Sequence, residues 1–400
     1  YRSANLKLNN PKVIDCAGKT IMPGMIDVHA HPGNFRYGLN PQKQWEYYAQ
    51  LAYGVTTQHD PSVNSEMAFS NAELLKTGRM VGPRLFSTGT ILYGADGDFK
   101  ATINSIDDAR SALRRTKAWG AISVKSYNQP RREQRQQVIA AARELGMLVV
   151  PEGGSFFNHN MTQIVDGHSS IEHNLPVAPL YSDVITLWSQ SKTSNTPTLI
   201  VSYGSLFGEN YWYQQTDVWK KERLLQFTPK HILDERSRHR TMAPEEEYRN
   251  GHILISQSSK KLTDAGVNIN LGAHGQLNGL GAHWELWMLQ QGGMTNLQAL
   301  KCATLNGATH LGLDKEIGSL KAGKLADLLV LDSNPLEDIR NSESIRYVML
   351  NGRLYDAATL NEVGNYDKKR SKFWFELPGN QTSGAGMSHT CLEAKCACQH

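Results

Sequence analysis

Long apolar runs are missing from this sequence. No stretch approaches the ~20 continuous apolar residues that a membrane-spanning helix needs, which excludes a helical membrane span. A surplus of one charge is missing too: 42 Lys and Arg stand against 38 Asp and Glu, for a net charge of +4. The basic residues are scattered rather than gathered into a stripe with interleaved aromatics, so nucleic acid is not an expected partner. Cysteine is scarce, at five residues in 400. Cys16 and Cys302 stand alone, whereas Cys391, Cys396 and Cys398 crowd the end of the chain beside His389 and His400. A flexible tail is the plain expectation for that cluster, with a disulfide or small metal site as the alternatives. An initiator Met and a basic-then-apolar leader are also missing ahead of Tyr1. The expectation is a removed signal peptide or a preceding region, and the N-terminus itself does not reveal the location.

What is present suits a globular enzyme. Apolar residues make up 40% and charged residues 20% of 400, enough for one large barrel and a smaller companion. From Met25 to Leu289, short β-branched runs alternate with longer amphipathic stretches, the pattern of βαβ units around a parallel sheet. The candidate strands are Met25–Val28, Val55–Gln58, Arg84–Ser87, Ile122–Val124, Leu148–Val150, Ser170–Glu172, Thr198–Val201 and Val267–Leu271. Eight strands favour a (β/α)₈ TIM-type barrel over an open doubly wound sheet. The clearest helix is Arg131–Leu145, with Val138, Ala142 and Leu145 at helical spacing and Gly146 to end it. Tyr203 to Glu247 interrupts the alternation after the seventh strand, where substrate specificity usually resides. Its Tyr211, Trp212 and Tyr213 suggest an aromatic-lined pocket, although packing is the commoner use of such a run. After Leu313 short segments punctuated by Gly follow, including Asn351-Gly352, a strong hairpin signal. The expected organisation is a small β-sandwich domain formed by both chain ends (1–23 and 314–364), a barrel over 24–313, and an appendage and flexible tail over 365–400.

The chemistry centres on Met25-Ile26-Asp27-Val28-His29-Ala30-His31-Pro32-Gly33. Residues i and i+2 of a strand share a face, so both imidazoles can reach one metal ion inside a barrel. A bare His-x-His is common; preceded by Pro23-Gly24-Met25-Ile26-Asp27 it resembles the amidohydrolase superfamily, in particular its imidazolonepropionase-like and prolidase-like branch. The resemblance continues through Tyr53-Gly54-Val55-Thr56-Thr57, Gly307-Ala308, Leu311-Gly312, Gly318-Ser319, Gly323-Lys324-Leu325-Ala326-Asp327 and Asn334-Pro335, covering Val13 to Asp356. It implies zinc or another divalent metal, one or two ions, held by His29, His31, Lys125, Glu152, His173 and His274. Lys125 matches the family's strand-end lysine, which is often carboxylated so that one anion reaches two cations. His173, in Ser170-Ile171-Glu172-His173-Asn174, matches a zinc-binding imidazole. His168, His231, His239 and His310 lack that strand-end context. His59 and Asp60, ending the second strand, read either as supports for the ligands or as a turn.

Two positions depart from the family. Val150-Pro151-Glu152-Gly153 has Glu152 where a histidine is usual, and Gly272-Ala273-His274-Gly275 has His274 where an aspartate is usual. Carboxylate and imidazole have exchanged places, so the general base is open among His274, Glu152 and Asp60. The activity implied is hydrolysis of an amide or peptide-like C–N bond by a metal-activated water, on a small-molecule or peptide-like substrate. The competing reading is a degenerate barrel that binds metal or ligand without turnover. A narrower resemblance, carried by Val150-Pro151-Glu152-Gly153-Gly154, Gly272-Ala273-His274-Gly275-Gln276 and Ala282-His283-Trp284-Glu285, is to amidohydrolase domains fused behind a Tol-type β-propeller in exported bacterial proteins. It implies an N-terminal propeller in a longer chain and a periplasmic or secreted location, with the cytoplasm as alternative. Assembly as a homo-oligomer is compatible with all of this.

Overall fold

A computed structural model describes residues 11–33, 43–94, 100–154, 156–237 and 242–377. The Cys- and His-rich end and His239 therefore lie outside the described residues.

The chain is a mixed α/β protein organised around parallel strands. Met25–Asp27, Val55–Asp60 and Arg84–Ser87 pair in parallel order, Ser123–Ser126 pairs with Leu148–Pro151, and Ser170–Glu172 pairs with Ser194–Thr196. Single backbone bonds join these groups: Ser169 N–H to Val149 O (3.0 Å), Asn195 N–H to Asn268 O (2.9 Å), Asn270 N–H to Asn195 O (2.8 Å) and Val28 N–H to Leu271 O (3.0 Å). Six of the expected strands appear within a few residues of their predicted bounds. Two do not. Thr198–Val201 is not a strand; the strand is Ser194–Thr196, and Leu199–Val201 forms a tight 3₁₀ turn. Its first two N–H groups are taken by the Glu285 carboxylate and so are lost to any ladder. Val267–Leu271 contributes only a bridge at Ile269. Ile91–Tyr93 and Lys100–Thr102, too short to stand out in the sequence, add a parallel pair beside Ser123–Ser126.

The helix expected over Arg131–Leu145 spans Arg132–Leu145 and buries Val138, Ile139, Ala141 and Ala142. Gly146 stops it at φ 64°, a left-handed conformation in which a Cβ is costly, and Met147 N–H returns to Ala142 O at 2.9 Å. It packs beside Ile106–Ala118, whose start is fixed by a reciprocal Ser105/Asp108 cap.

Both chain ends meet in one antiparallel sheet. Thr20–Pro23 pairs with Leu328–Leu331, then come Ile345–Leu350 and Arg353–Asp356. Asn351 (φ 50°) and Gly352 (φ 76°) make the two-residue left-handed turn the sequence signalled. Among the described residues this unit is a single sheet of four strands, not a two-layer sandwich.

The described residues of the segment Tyr203 to Glu247 form short helices, among them Gly208–Gln215, Glu222–Phe227 and Lys230–Ser237. Its aromatics mainly pack. Trp212 is buried edge-on to Trp287 at 5.1 Å, and Tyr213 lies 5.0 Å from Trp284. Tyr211 and Trp212 do line a cavity of about 250 Å³ with Trp287 and Arg340, but none of the six expected metal ligands borders it. The aromatic pocket is thus separate from the histidines.

Candidate metal centre

The ends of the strands Met25–Asp27, Val55–Asp60, Ser123–Ser126, Leu148–Pro151 and Ser170–Glu172, with the turn after Leu271 that carries His274, supply the site. Asp27 closes its strand with Oδ1 accepting N–H bonds from His29 (3.2 Å) and Ala273 (3.1 Å), which draws the loop carrying His274 against the loop carrying His29 and His31. Burial pushes the Asp27 carboxyl up to about 7, against the pull of those two bonds.

Each of the first two imidazoles is oriented by a carboxylate. His29 Nδ1 donates to Glu172 Oε2 at 2.6 Å, and His31 Nδ1 donates to Asp60 Oδ1 at 3.0 Å. Glu172 is anchored in turn by the Ser170 hydroxyl on its other oxygen at 2.6 Å. Burial pushes its carboxyl up to about 7, partly offset by Lys125. In the tautomer in which both Nδ1 atoms donate, the Nε2 lone pairs of His29 and His31 face each other at 3.2 Å. Two lone pairs so close repel unless a positive charge lies between them. His274 joins them: its ring centroid is 5.2 Å from His29 and 4.9 Å from His31, and one nitrogen of each of the three lies within 4.8 Å of the others. Burial, then the neighbouring cationic and imidazole groups, hold His29 and His274 well below the usual imidazole range, so both are neutral donors at pH 7. Three converging imidazoles fit a divalent cation of the zinc type.

A second cluster adjoins this one. Lys125 Nζ pairs with Glu152 Oε2 at 2.7 Å, while Glu152 Oε1 lies 3.1 Å from His173 Nε2 and 3.0 Å from the Tyr203 hydroxyl that donates to it. Burial works to raise the Glu152 pKa, but Lys125 and His173 outweigh it and hold the carboxyl well below its usual range. Tyr203 also stacks on His173 at 4.5 Å. His173 Nδ1 meets Thr198 Oγ1 at 2.7 Å. The two clusters are contiguous, since the His173 ring lies 4.8 Å from His29 and 5.2 Å from His274.

Three site residues have left-handed backbones: His173 (φ 68°), Thr198 (φ 45°) and His274 (φ 57°). Such residues cost of order 1–3 kcal/mol each and persist only where their surroundings fix them. Here His173 N–H is held by Thr196 O (2.8 Å) and His274 N–H by His29 O (2.7 Å). Next to Glu152, Gly153 has no room for a side chain, because a Cβ there would strike the Glu172 carbonyl.

All six expected ligands are thus brought together, and Asp60 stands behind His31. His59 lies beneath them as a support: Nδ1 donates to Val28 O at 3.1 Å and Nε2 meets Ser123 Oγ at 2.8 Å. His168 and His310 are buried elsewhere, on Gln163 O and Ser194 Oγ. Sequence reasoning missed Glu172, Thr198 and Tyr203. A carboxylate inside a wholly buried strand was the available signal for Glu172; Thr198 and Tyr203 gave none.

The model of the amidohydrolase family matches residues 233–355. The ochratoxinase of Aspergillus niger is 24% identical over 373 residues, covering 84% of this chain and 75% of that protein. Among solved structures, a Xaa-Pro dipeptidase with bound methionine in its active site aligns at TM-score 0.62 and 23% identity, covering 85% of this chain and 87% of that one. A molinate hydrolase aligns at TM-score 0.67 and 16% identity, covering 97% and 91%. Residues 233–355 thus match the amidohydrolase family model, and the chain shares with these solved structures an α/β fold of the TIM-barrel-like kind.

Proposed function

We propose that this protein is a metal-dependent hydrolase of an amide or peptide-like C–N bond, with His29, His31 and His274 holding a divalent cation. The observation that carries the reading is the facing pair of Nε2 atoms, 3.2 Å apart, each with its Nδ1 committed to a carboxylate and with His274 converging on both. A cation bound there supplies a lowered water pKa and a polarised substrate carbonyl. The remaining work belongs to the chain. Glu152 accepts from three donors, which stabilises its charged form, makes it a weak proton acceptor, and suits it to fixing Lys125 and His173. With His274 as a ligand, proton transfer falls to Asp60, which borders the imidazole cluster through His31. Lys125, Glu152 and His173 form the donor set for a second ion, with a carboxylated Lys125 as its bridge.

The parallel segments make up a closed (β/α)₈ barrel over 24–313, with 1–23 and 314–364 as the companion β domain. We place the chain in the prolidase-like branch, acting on a small-molecule or peptide-like substrate, and carry forward export and an N-terminal propeller from the sequence resemblance. Amide hydrolysis is favoured because the ochratoxinase and Xaa-Pro dipeptidase relatives align over most of the chain. The test is a panel of N-acyl amino acids, dipeptides, esters and lactones assayed with the apoprotein and after addition of Zn²⁺, Mn²⁺ or Co²⁺. Turnover that follows metal loading is expected. Stoichiometric metal binding without turnover on any substrate would instead favour a binding module, a reading motivated by the imidazole standing where the family has aspartate.

A further inference from the structure

The sequence Ala282-His283-Trp284-Glu285 lies in the helix Leu280–Gln291, with all four residues buried. His283 and Trp287 in that helix are engaged with the other end of the chain: His283 Nδ1 with Ser342 Oγ (2.9 Å) and Trp287 Nε1 with Ile339 O (3.1 Å). Trp284 packs on Tyr213. Glu285 does neither. Oε1 accepts Leu199 N–H at 2.8 Å and Oε2 accepts Ile200 N–H at 2.9 Å. An acidic side chain is costly to bury, and an apolar one would fill the same space without that cost. Both oxygens are spent on the two N–H groups that immediately follow Thr198.

Those two bonds start the 3₁₀ turn Leu199–Val201 directly after a β-branched residue held at φ 45°, ψ 54°. Thr198 would leave that conformation readily if the turn were free, because a threonine there is strained. Held there, its Oγ1 meets His173 Nδ1 at 2.7 Å, which fixes the plane of the ring and aims Nε2 at the cluster, 3.1 Å from Glu152 Oε1. We propose that Glu285 is a positioning residue for the metal centre: it locks the turn that holds Thr198, and Thr198 orients the His173 ring. This rests on the reading of His173 as a metal-centre ligand.

The experiment compares wild type, Glu285→Gln, Thr198→Val, the double variant and Thr198→Ser, each loaded with Co²⁺. The readouts are the cobalt absorption spectrum, the metal dissociation constant by chelator competition, and the melting temperature. Glutamine keeps the volume but turns its NH₂ toward one of the two N–H groups. Glu285→Gln and Thr198→Val should change the spectrum alike and each weaken cobalt binding by about 10–100-fold, the range for lost supports behind a ligand. The double variant should be no weaker than the weaker single variant, and Thr198→Ser should restore the wild-type spectrum. A lower melting temperature in Glu285→Gln with unchanged spectrum and affinity would overturn the proposal, as would effects that multiply in the double variant. If Glu285→Gln does not fold, Glu285→Asp, one methylene short, is read by the same criteria. Full cobalt binding in a His29→Ala control would overturn the metal reading itself, and this proposal with it.

Discussion

His29 Nδ1 stands 2.6 Å from Glu172 Oε2, so the first proposed ligand is aimed by a carboxylate from a strand 143 residues away in sequence. Ser170 secures the other oxygen, and a buried imidazole that lost this partner could rotate or change tautomer. Glu172→Gln should weaken metal binding by about 10–100-fold with little change in fold. Chelator competition measures it, and affinity equal to wild type would remove Glu172 from the support of the centre.

His274 separates two roles by one substitution. As a ligand grouped with His29 and His31, its loss in His274→Ala should lower metal content and activity together. If it moves a proton only, metal content should stay intact while the rate falls by about 10²–10⁴-fold. Metal analysis and kcat on the same preparation decide between them, and we expect the first outcome. Full metal and full activity would exclude both roles.

The strand order and the clustering of the candidate ligands were largely legible because both are written in local pattern. Apolar runs such as Leu148-Val149-Val150 announce buried parallel strands, and His29 and His31 sit two apart at the end of one. The left-handed Gly146 and the Asn351-Gly352 turn were legible for the same reason. What was not legible depends on partners distant in sequence. Leu199-Ile200-Val201 has strand composition, yet Glu285 captures its N–H groups and turns it into a 3₁₀ helix. Tyr211, Trp212 and Tyr213 look like a recognition surface until Trp284, Trp287 and Tyr248 are seen to pack on them.

Lys125 tests the number of ions. Its Nζ lies 2.7 Å from Glu152, a buried pair in which loss of one partner leaves the other charge uncompensated. A carbamate at Lys125 would set anion against anion unless cations lie between, so carboxylation and a second ion should appear together. Metal analysis of protein loaded under bicarbonate should give two ions per chain, and Lys125→Ala should lose at least one, with partial recovery of activity on adding short carboxylic acids. One ion per chain in wild type, with an unmodified Lys125 by crystallography, would show that the lysine serves as the ammonium partner of Glu152.

The last prediction concerns stability rather than catalysis. His283 is wholly buried, with Nε2–H donating to Tyr53 O at 2.9 Å and Nδ1 facing Ser342 Oγ, and burial lowers its pKa to about 4 from the ordinary 6.5. Between those values the unfolded chain binds a proton at this position that the folded chain does not. By linkage, stability from this residue is therefore fully present above 6.5 and is lost as pH falls toward 4. Other buried groups push the opposite way: Glu285 and Glu46 are both raised to about 8 by burial, so the absolute stability curve mixes signs. The difference between wild type and His283→Gln cancels them, since the carboxylates are common to both. That difference should shrink by about 1 kcal/mol between pH 6.5 and pH 5.5, read as the difference in unfolding free energy from urea titrations. A constant difference across that interval would show that His283 is not held neutral in the folded protein.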